Sequence, residues 1–451
     1  MKLPYMMRRI WPVACAGLWA ICSMARAALP IEHWVQDGVN VYLVRSPGIA
    51  MVDFQIDVDA GGRRDPSRLP GRTAMMASQL DSGIRALHGS GRSAPALDEN
   101  QLGEAWADLG ASFGAHAGAD RLSFTLRSLT APDVLEPAVE LAARQMAHPA
   151  FPAEVWARDQ RRTAASLREA ETRPATQVGR AFNQAVYGEH PYGWRMTQES
   201  LARIGVADLV AAHEQALSRC GAKVSVVGAL DRVQTERWVS RLLTHWPQKP
   251  CESRPVVPEV APLTAAREVR IPFDSAQAHV MIGQPGHARK DPDFLVLSVG
   301  NYILGGGGFN SRLTEEIREK RGLTYGVYST FIPGLHAGAF MVSLQTRPDQ
   351  AEEALKIARE VVSRFVREGP TEAEMAAAKA NLLGGFALRI DSNRKLLDNV
   401  ANIAWNQLPL DYLDTWQAQV QKMTAREVQQ AMARVLQPER MVTVVLGAAQ
   451  K

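Results

Sequence analysis

The chain has no close pair of histidines. Ten are scattered through 451 residues, and no two stand nearer than His279 and His287. No helix face can therefore present two imidazoles at i and i+4, the spacing by which a single helix grips zinc. Cysteine is scarce as well: there are four, and Cys15 and Cys22 fall in the first 27 residues. The other two, Cys220 and Cys251, lie away from any histidine cluster and do not read as zinc ligands. In an exported chain they could pair, or they could stay separate buried thiols.

Net charge is the third thing missing, once the N-terminus is set aside. Lys2, Arg8 and Arg9 make a basic start, residues 10–24 are mostly apolar, and Ala25-Arg26-Ala27 is an A-x-A cleavage signature. Segment 1–27 thus reads as a Sec-type signal peptide cleaved after Ala27, which predicts an exported, periplasmic protein. Pro12 interrupts an apolar run already short for a bilayer, which argues against a retained anchor. The residues before Cys15 and Cys22 make poor lipoboxes, which argues against lipidation. Losing Lys2, Arg8, Arg9 and Arg26 from 51 Lys and Arg leaves bases and acids balanced at 47. Nothing then argues for nucleic acid or, after signal removal, a membrane as partner.

What is present is a duplicated pattern. Pro247, Pro250, Pro255, Pro258 and Pro262 mark an extended proline-rich linker, 247–268, between segments 28–246 and 269–451. In the first segment an alternating stretch, 121–129, precedes a helix start at Pro132-Asp133 and an amphipathic run to Met146. In the second, 338–346 precedes Pro348-Asp349 and a run to Phe365. Long helical tracts follow at 154–170 and 371–388, the latter opening on Thr371 and Glu374 at capping-box spacing. Short apolar strands close each half, at 223–228 and 441–447. This order, occurring twice, predicts an α+β fold made by duplication. Strands with one polar face imply a sheet covered on one side by helices.

The order of motifs resembles the M16 (pitrilysin/insulinase-like) zinc peptidase family over nearly the whole chain after the leader. The stretch 34–44 is similar to that family's first hairpin, and 57–66 to the strand and loop leading to its zinc helix. Segments 107–111 and 185–193 also resemble it. The most specific stretch is Leu304-Gly305-Gly306-Gly307-Gly308-Phe309-Asn310-Ser311-Arg312-Leu313, followed by Glu316 to Tyr325. The resemblance implies two homologous M16-type sandwich halves, each a mostly antiparallel sheet covered by helices.

Pro70-Gly71-Arg72-Thr73-Ala74-Met75-Met76-Ala77-Ser78-Gln79-Leu80 stands where the family carries an inverted H-x-x-E-H motif. The histidine positions read Ala74 and Ser78 and the glutamate position Ala77, while the third ligand falls on Ser166, or on Glu169 if the alignment slips. Alanine holds neither a metal nor a proton. Arg318 and Tyr325 match the family's Arg/Tyr element beside the scissile bond, where a phenol can donate to a developing oxyanion and a guanidinium can hold a carbonyl. Gly305, Gly306, Gly307 and Gly308 lack the Gly-Lys-Ser/Thr of a phosphate loop and read as a flexible, substrate-binding loop. The basic run 158–168 reads as a solvated helix face, with contact between Arg161 or Arg162 and substrate acids left open.

The resemblance therefore implies a non-catalytic subunit that has no cofactor of its own. Its partner would be a homologous chain with intact H-x-x-E-H that holds the zinc, the substrate a peptide or unfolded polypeptide. The alternative is a peptide-binding or assembly scaffold with no catalytic role. A relocated metal site is disfavoured by the histidine spacing.

Overall fold

The structure is a computed structural model that describes residues 30–88, 93–248, 250–251 and 253–447. The expected signal peptide lies outside these residues. The first sheet has six strands: β1 (Glu32–Gln36), β2 (Val39–Arg45), β3 (Met51–Val58), β4 (Ser112–Ala117), β5 (Leu122–Leu129) and β6 (Lys223–Gly228). Their order across the sheet is β1-β2-β6-β3-β5-β4. The second has five: β7 (Arg267–Ile271), β8 (Ala278–Pro285), β9 (Val327–Phe331), β10 (Ala339–Thr346) and β11 (Val442–Leu446), in the order β9-β10-β8-β11-β7. Without β1, the first sheet reads β2-β6-β3-β5-β4 and the second, from its other edge, β7-β11-β8-β10-β9. Strand for strand these are the same topology, with one parallel pair in each, β2 with β6 and β7 with β11. The α+β fold made twice is therefore borne out.

Each half contributes its own set of helices, most of which stay with the sheet of that half. In the first these include α1 (Arg72–Ser78), α2 (Pro132–Ala147), α3 (Ala153–Glu171), α4 (Pro174–Tyr187), α5 (Val206–Ala216) and α6 (Arg232–Leu242). The second has α7 (Ala351–Glu368), α8 (Glu372–Gly384), α9 (Asn393–Asn406) and α10 (Ala425–Val435) among others. Helix α7 buries Ala354, Leu355, Ala358, Val361, Val362 and Phe365, one stripe at helical spacing. The Thr371 and Glu374 capping box forms in both directions, at 3.2 and 2.7 Å. Helix α8 ends at Gly384, short of 388, where two successive glycines weaken the helix and Leu388 is exposed.

The expectation of helices on one side only is corrected. Both faces are covered, and the second cover is exchanged between halves. Helix α4 crosses to lie on β8 and β11, packing Val178, Phe182 and Val186 against Met281, Val442 and Val444. Its counterpart α9 lies on β6 and β3, with Leu396, Leu397 and Val400 against Tyr42, Val44 and Val227. The polar residues of β3 are thus buried rather than solvated. Asp57 accepts from Gln55 at 3.0 Å, Arg121 at 3.1 Å and Ser123, while Asp53 pairs with Arg127 at 2.6 Å. Buried polar groups survive when each finds a partner.

A polar joint adds to this exchange. Asp120 accepts from Arg63 at 2.9 Å, the Tyr192 hydroxyl at 2.7 Å and the Leu335 backbone N–H at 2.9 Å. The Tyr192 oxygen in turn accepts the His336 N–H at 3.1 Å. Only glycine fits at 334, because a Cβ there would stand 2.3 Å from the Tyr192 hydroxyl. His190, in its Gly-Glu-His-Pro turn, accepts the Tyr192 N–H through Nδ1 and reaches the Pro258 carbonyl at 2.9 Å through Nε2.

Among the described residues from 243 to 266 there is no helix or strand, and β7 begins at Arg267. This segment does not hang free. Arg64 donates to the Pro255 carbonyl, Arg254 to the carbonyls of Asp59 and Gln215, and Cys251 is disulfide-bonded to Cys220 with Cα atoms 5.5 Å apart. Of the two states open for the cysteines, the structure has the bridge.

Candidate functional site

Helix α1 is set by the loop before it. Asp65 accepts the backbone N–H groups of Gly71 at 2.9 Å and Thr73 at 3.0 Å, and the Thr73 hydroxyl at 2.5 Å. Burial pushes the Asp65 carboxyl up, and these hydrogen bonds oppose it. The helix packs on α5 and on the edge strand β4. Along it Ala77 is buried, Ala74 half-buried, and Ser78 exposed with its hydroxyl donating to the Met75 carbonyl at 2.8 Å. Ser166 is exposed on α3. Two alanines and two serines offer no set of donors for zinc, so these residues do not fit the metal. Among the described residues no group of three or more His, Cys, Asp or Glu is placed to hold a metal ion.

The carboxylate that joins α1 to α3 is occupied. Asp159 accepts from Gln79 at 2.8 Å and Arg158 at 3.0 Å and pairs with Arg162 at 3.3 Å. The Arg158 hydrogen bond is the main cause that holds its pKa below the usual range. Arg158 also pairs with Glu99, so the basic run is in part an ion-pair network; Arg161 and Arg162 are exposed.

In the second half, Arg318 and Tyr325 come together. Arg318 lies at the end of a π-helical stretch, Thr314–Glu319, with its guanidinium 5.0 Å from the Tyr325 ring centroid and 4.6 Å from that of Phe309. Each such stacking contributes about 0.5–1 kcal/mol at an exposed site. Tyr325 is 86% exposed and Phe309 68%. The Tyr325 hydroxyl makes no hydrogen bond to a described residue, while the loop behind it is firmly held. Thr324 donates to the Gln345 carbonyl at 2.5 Å, the Leu323 N–H to the Ile317 carbonyl at 3.0 Å, and Arg312 to both Glu374 oxygens at 2.5 and 2.7 Å. A rigid base thus offers a phenol to solvent beside a half-buried guanidinium, which also pairs with Glu319 at 3.4 Å. Neighbouring charges are already matched: Lys320 and Arg321 both pair with Glu316.

Phe309 was not singled out from the sequence as a site residue. The signal was there, an aromatic following four glycines, but only the fold stacks it on Arg318. The glycines, read from the sequence as a loop, take the form of two tight turns. Gly305 and Gly306 finish a π-helical turn, Tyr302–Gly306, and a 3₁₀ turn follows at Gly308–Asn310. The turn presses on β9, where a Cβ on Gly305 would stand 2.5 Å from the Ser329 nitrogen. Gly305 is thus buried, Gly307 half-buried, and Gly306 and Gly308 exposed beside Phe309. Among the described residues no hydrogen bond, ion pair or ring contact joins the Arg318 cluster to α1.

Comparison with known proteins places this arrangement. The profile of the Peptidase M16 inactive domain matches residues 203–382. The crystal structure of a peptidase M16 inactive domain from Pseudomonas fluorescens superposes with a TM-score of 0.85 at 32% identity, over 93% of this chain and 98% of that one. The chain belongs to the M16 peptidase family. Within that family, this M16 chain is 29% identical over 280 residues to an uncharacterized zinc protease of Mycobacterium tuberculosis. That match takes in 61% of this chain and 63% of the relative, less than two thirds of its length. The fold is also that of the periplasmic protease PqqL from Escherichia coli, with a TM-score of 0.78 and 18% identity; 93% of the M16 chain corresponds to 46% of that longer one. Among the described residues no helix is long and apolar enough to cross a membrane.

Proposed function

We propose that this M16 chain is the exported, non-catalytic subunit of a two-chain zinc peptidase. It would lend Arg318 and Tyr325 to a homologous partner that carries H-x-x-E-H and the zinc. The observation that carries the reading is a contrast: the metal positions Ala74, Ala77, Ser78 and Ser166 offer no zinc ligand, yet Arg318 and Tyr325 converge on a rigid base with the Tyr325 phenol facing solvent. An arginine held in a stack costs less entropy to use than a free one. The correspondence to about half of a longer protease supports a pair of such chains as the working unit.

In this reading the Tyr325 hydroxyl donates to the peptide oxygen as charge develops there, and Arg318 holds the neighbouring carbonyl. The glycines at 306–308 let a peptide backbone come close to Phe309. Strand β4 is an outer strand beside α1. It supplies an edge on which an extended peptide can add, so that recognition would be tolerant of sequence along the backbone.

The test is peptide hydrolysis by this chain, by a homologue from the same source with intact H-x-x-E-H, and by the two mixed, with zinc measured in each. Activity only in the mixture, with zinc only in the partner, is the expected result. No gain on mixing moves the reading to a binding or assembly scaffold, and one zinc per chain here would overturn it.

A further inference from the structure

A cavity of about 440 Å³ opens where the first half, the linker segment and the second half meet. Five cationic side chains line it, Arg63, Arg64, Lys223, Arg254 and Lys290, against one carboxylate, Asp59. Asp59 is already engaged, by Arg63 at 2.5 Å and Arg64 at 2.7 Å. The other three cations have only neutral hydrogen-bond partners. Lys223 donates to the Gly221 carbonyl at 3.2 Å, Lys290 to the Gln407 side-chain oxygen at 2.8 Å, and Arg254 to the carbonyls of Asp59 and Gln215. None of the three makes a salt bridge with a described residue. Lys223 also lies 5.0 Å from the ring of Trp405, a side chain of α9 from the other half.

Like charges gathered in a partly dry space repel one another, and the cost falls when an anion enters. At Lys223 burial foremost lowers the pKa; Asp57 and Asp59 oppose it, and Lys290 and Arg121 add smaller downward pulls. We propose that this cleft is a binding site for a small polyanion bearing phosphate or carboxylate groups, held by Lys223, Lys290 and Arg254. The volume falls in the range for small ligands and excludes a folded partner. Each of the three cations comes from a different segment, so one bound anion would tie both halves and the linker together. None of its lining residues belongs to α1 or to the Arg318 cluster, and it needs no partner chain.

Calorimetric titration of the purified protein with pyrophosphate and with citrate, at matched ionic strength, tests this. Saturable binding is expected for at least one probe, with a rise in Tm at saturation. Preference for pyrophosphate would mark a phosphate ligand and for citrate a carboxylate ligand; either upholds the site. Lys223→Gln and Lys290→Gln should each weaken binding about tenfold or more, as befits loss of a charge-assisted hydrogen bond. Arg161→Gln on α3 should leave it unchanged. Lys290 is exposed, so its variant folds whatever becomes of Lys223→Gln. No saturable binding to either probe would overturn the proposal, as would equal binding by Lys290→Gln and the unaltered protein.

Discussion

Tyr325 is the residue on which the proposed chemistry turns. With the partner present, Tyr325→Phe removes one donor to the oxyanion and should lower turnover about 10²–10³-fold with little change in stability. Unchanged turnover would make it a surface tyrosine. His213 tests a different property. It is buried, with Nε2 2.7 Å from the Met146 carbonyl, and burial above all lowers its pKa from the ordinary 6.5. The folded chain therefore binds fewer protons here than the unfolded one below that value. Its contribution is fully present above pH 6.5 and is lost as pH falls from there towards the folded pKa. The variant His213→Gln keeps a donor for Met146 but cannot titrate, so its Tm should fall less between pH 7.5 and 5.5, by scanning calorimetry. An equal or steeper fall would refute the assignment.

At the scale of elements, two devices stand out. The disulfide closes a loop of 31 residues and staples the linker segment to the turn between α5 and β6. Cys220→Ser should cost about 3–4 kcal/mol in urea unfolding, from the loop entropy returned to the unfolded chain. It should also loosen Arg254, and so weaken anion binding. The second device is the exchanged pair α4 and α9. Phe182 on α4 is 1% exposed, under the sheet of the other half. Phe182→Ala should destabilise by about 3–5 kcal/mol.

For the whole molecule, the exchange makes the two halves one cooperative body. Each sheet lacks a cover until the other half folds, and the Asp120–Tyr192–His336 joint adds hydrogen bonds across the same boundary. Urea unfolding followed by fluorescence and by circular dichroism should thus give one coincident transition. Two separated transitions would show that the halves fold alone. The same rigidity bears on function. In the proposed two-chain peptidase, opening and closing over a peptide would come from movement of one chain against the other rather than from hinging between these halves.

The sequence by itself determined the local elements and the duplication. Strand alternation, the capping box at Thr371 and the apolar stripe of 351–368 act over a few residues, and neighbours in the chain suffice to express them. It also determined that Ala74, Ala77 and Ser78 offer neither imidazole nor carboxylate in any fold. Tertiary structure alone decided the rest. Strands with one polar face implied helices on one side only, because alternation cannot tell water from a layer of paired side chains beneath a distant helix. The turns at glycines 305–308 and the packing of Gly305 on Ser329 are invisible in composition. Phe309 beside Arg318, the state of the two cysteines, and the meeting of Lys223, Arg254 and Lys290 depend on contacts between residues far apart in the chain. No local pattern encodes such contacts, because the energy that selects them is that of burying whole faces against one another.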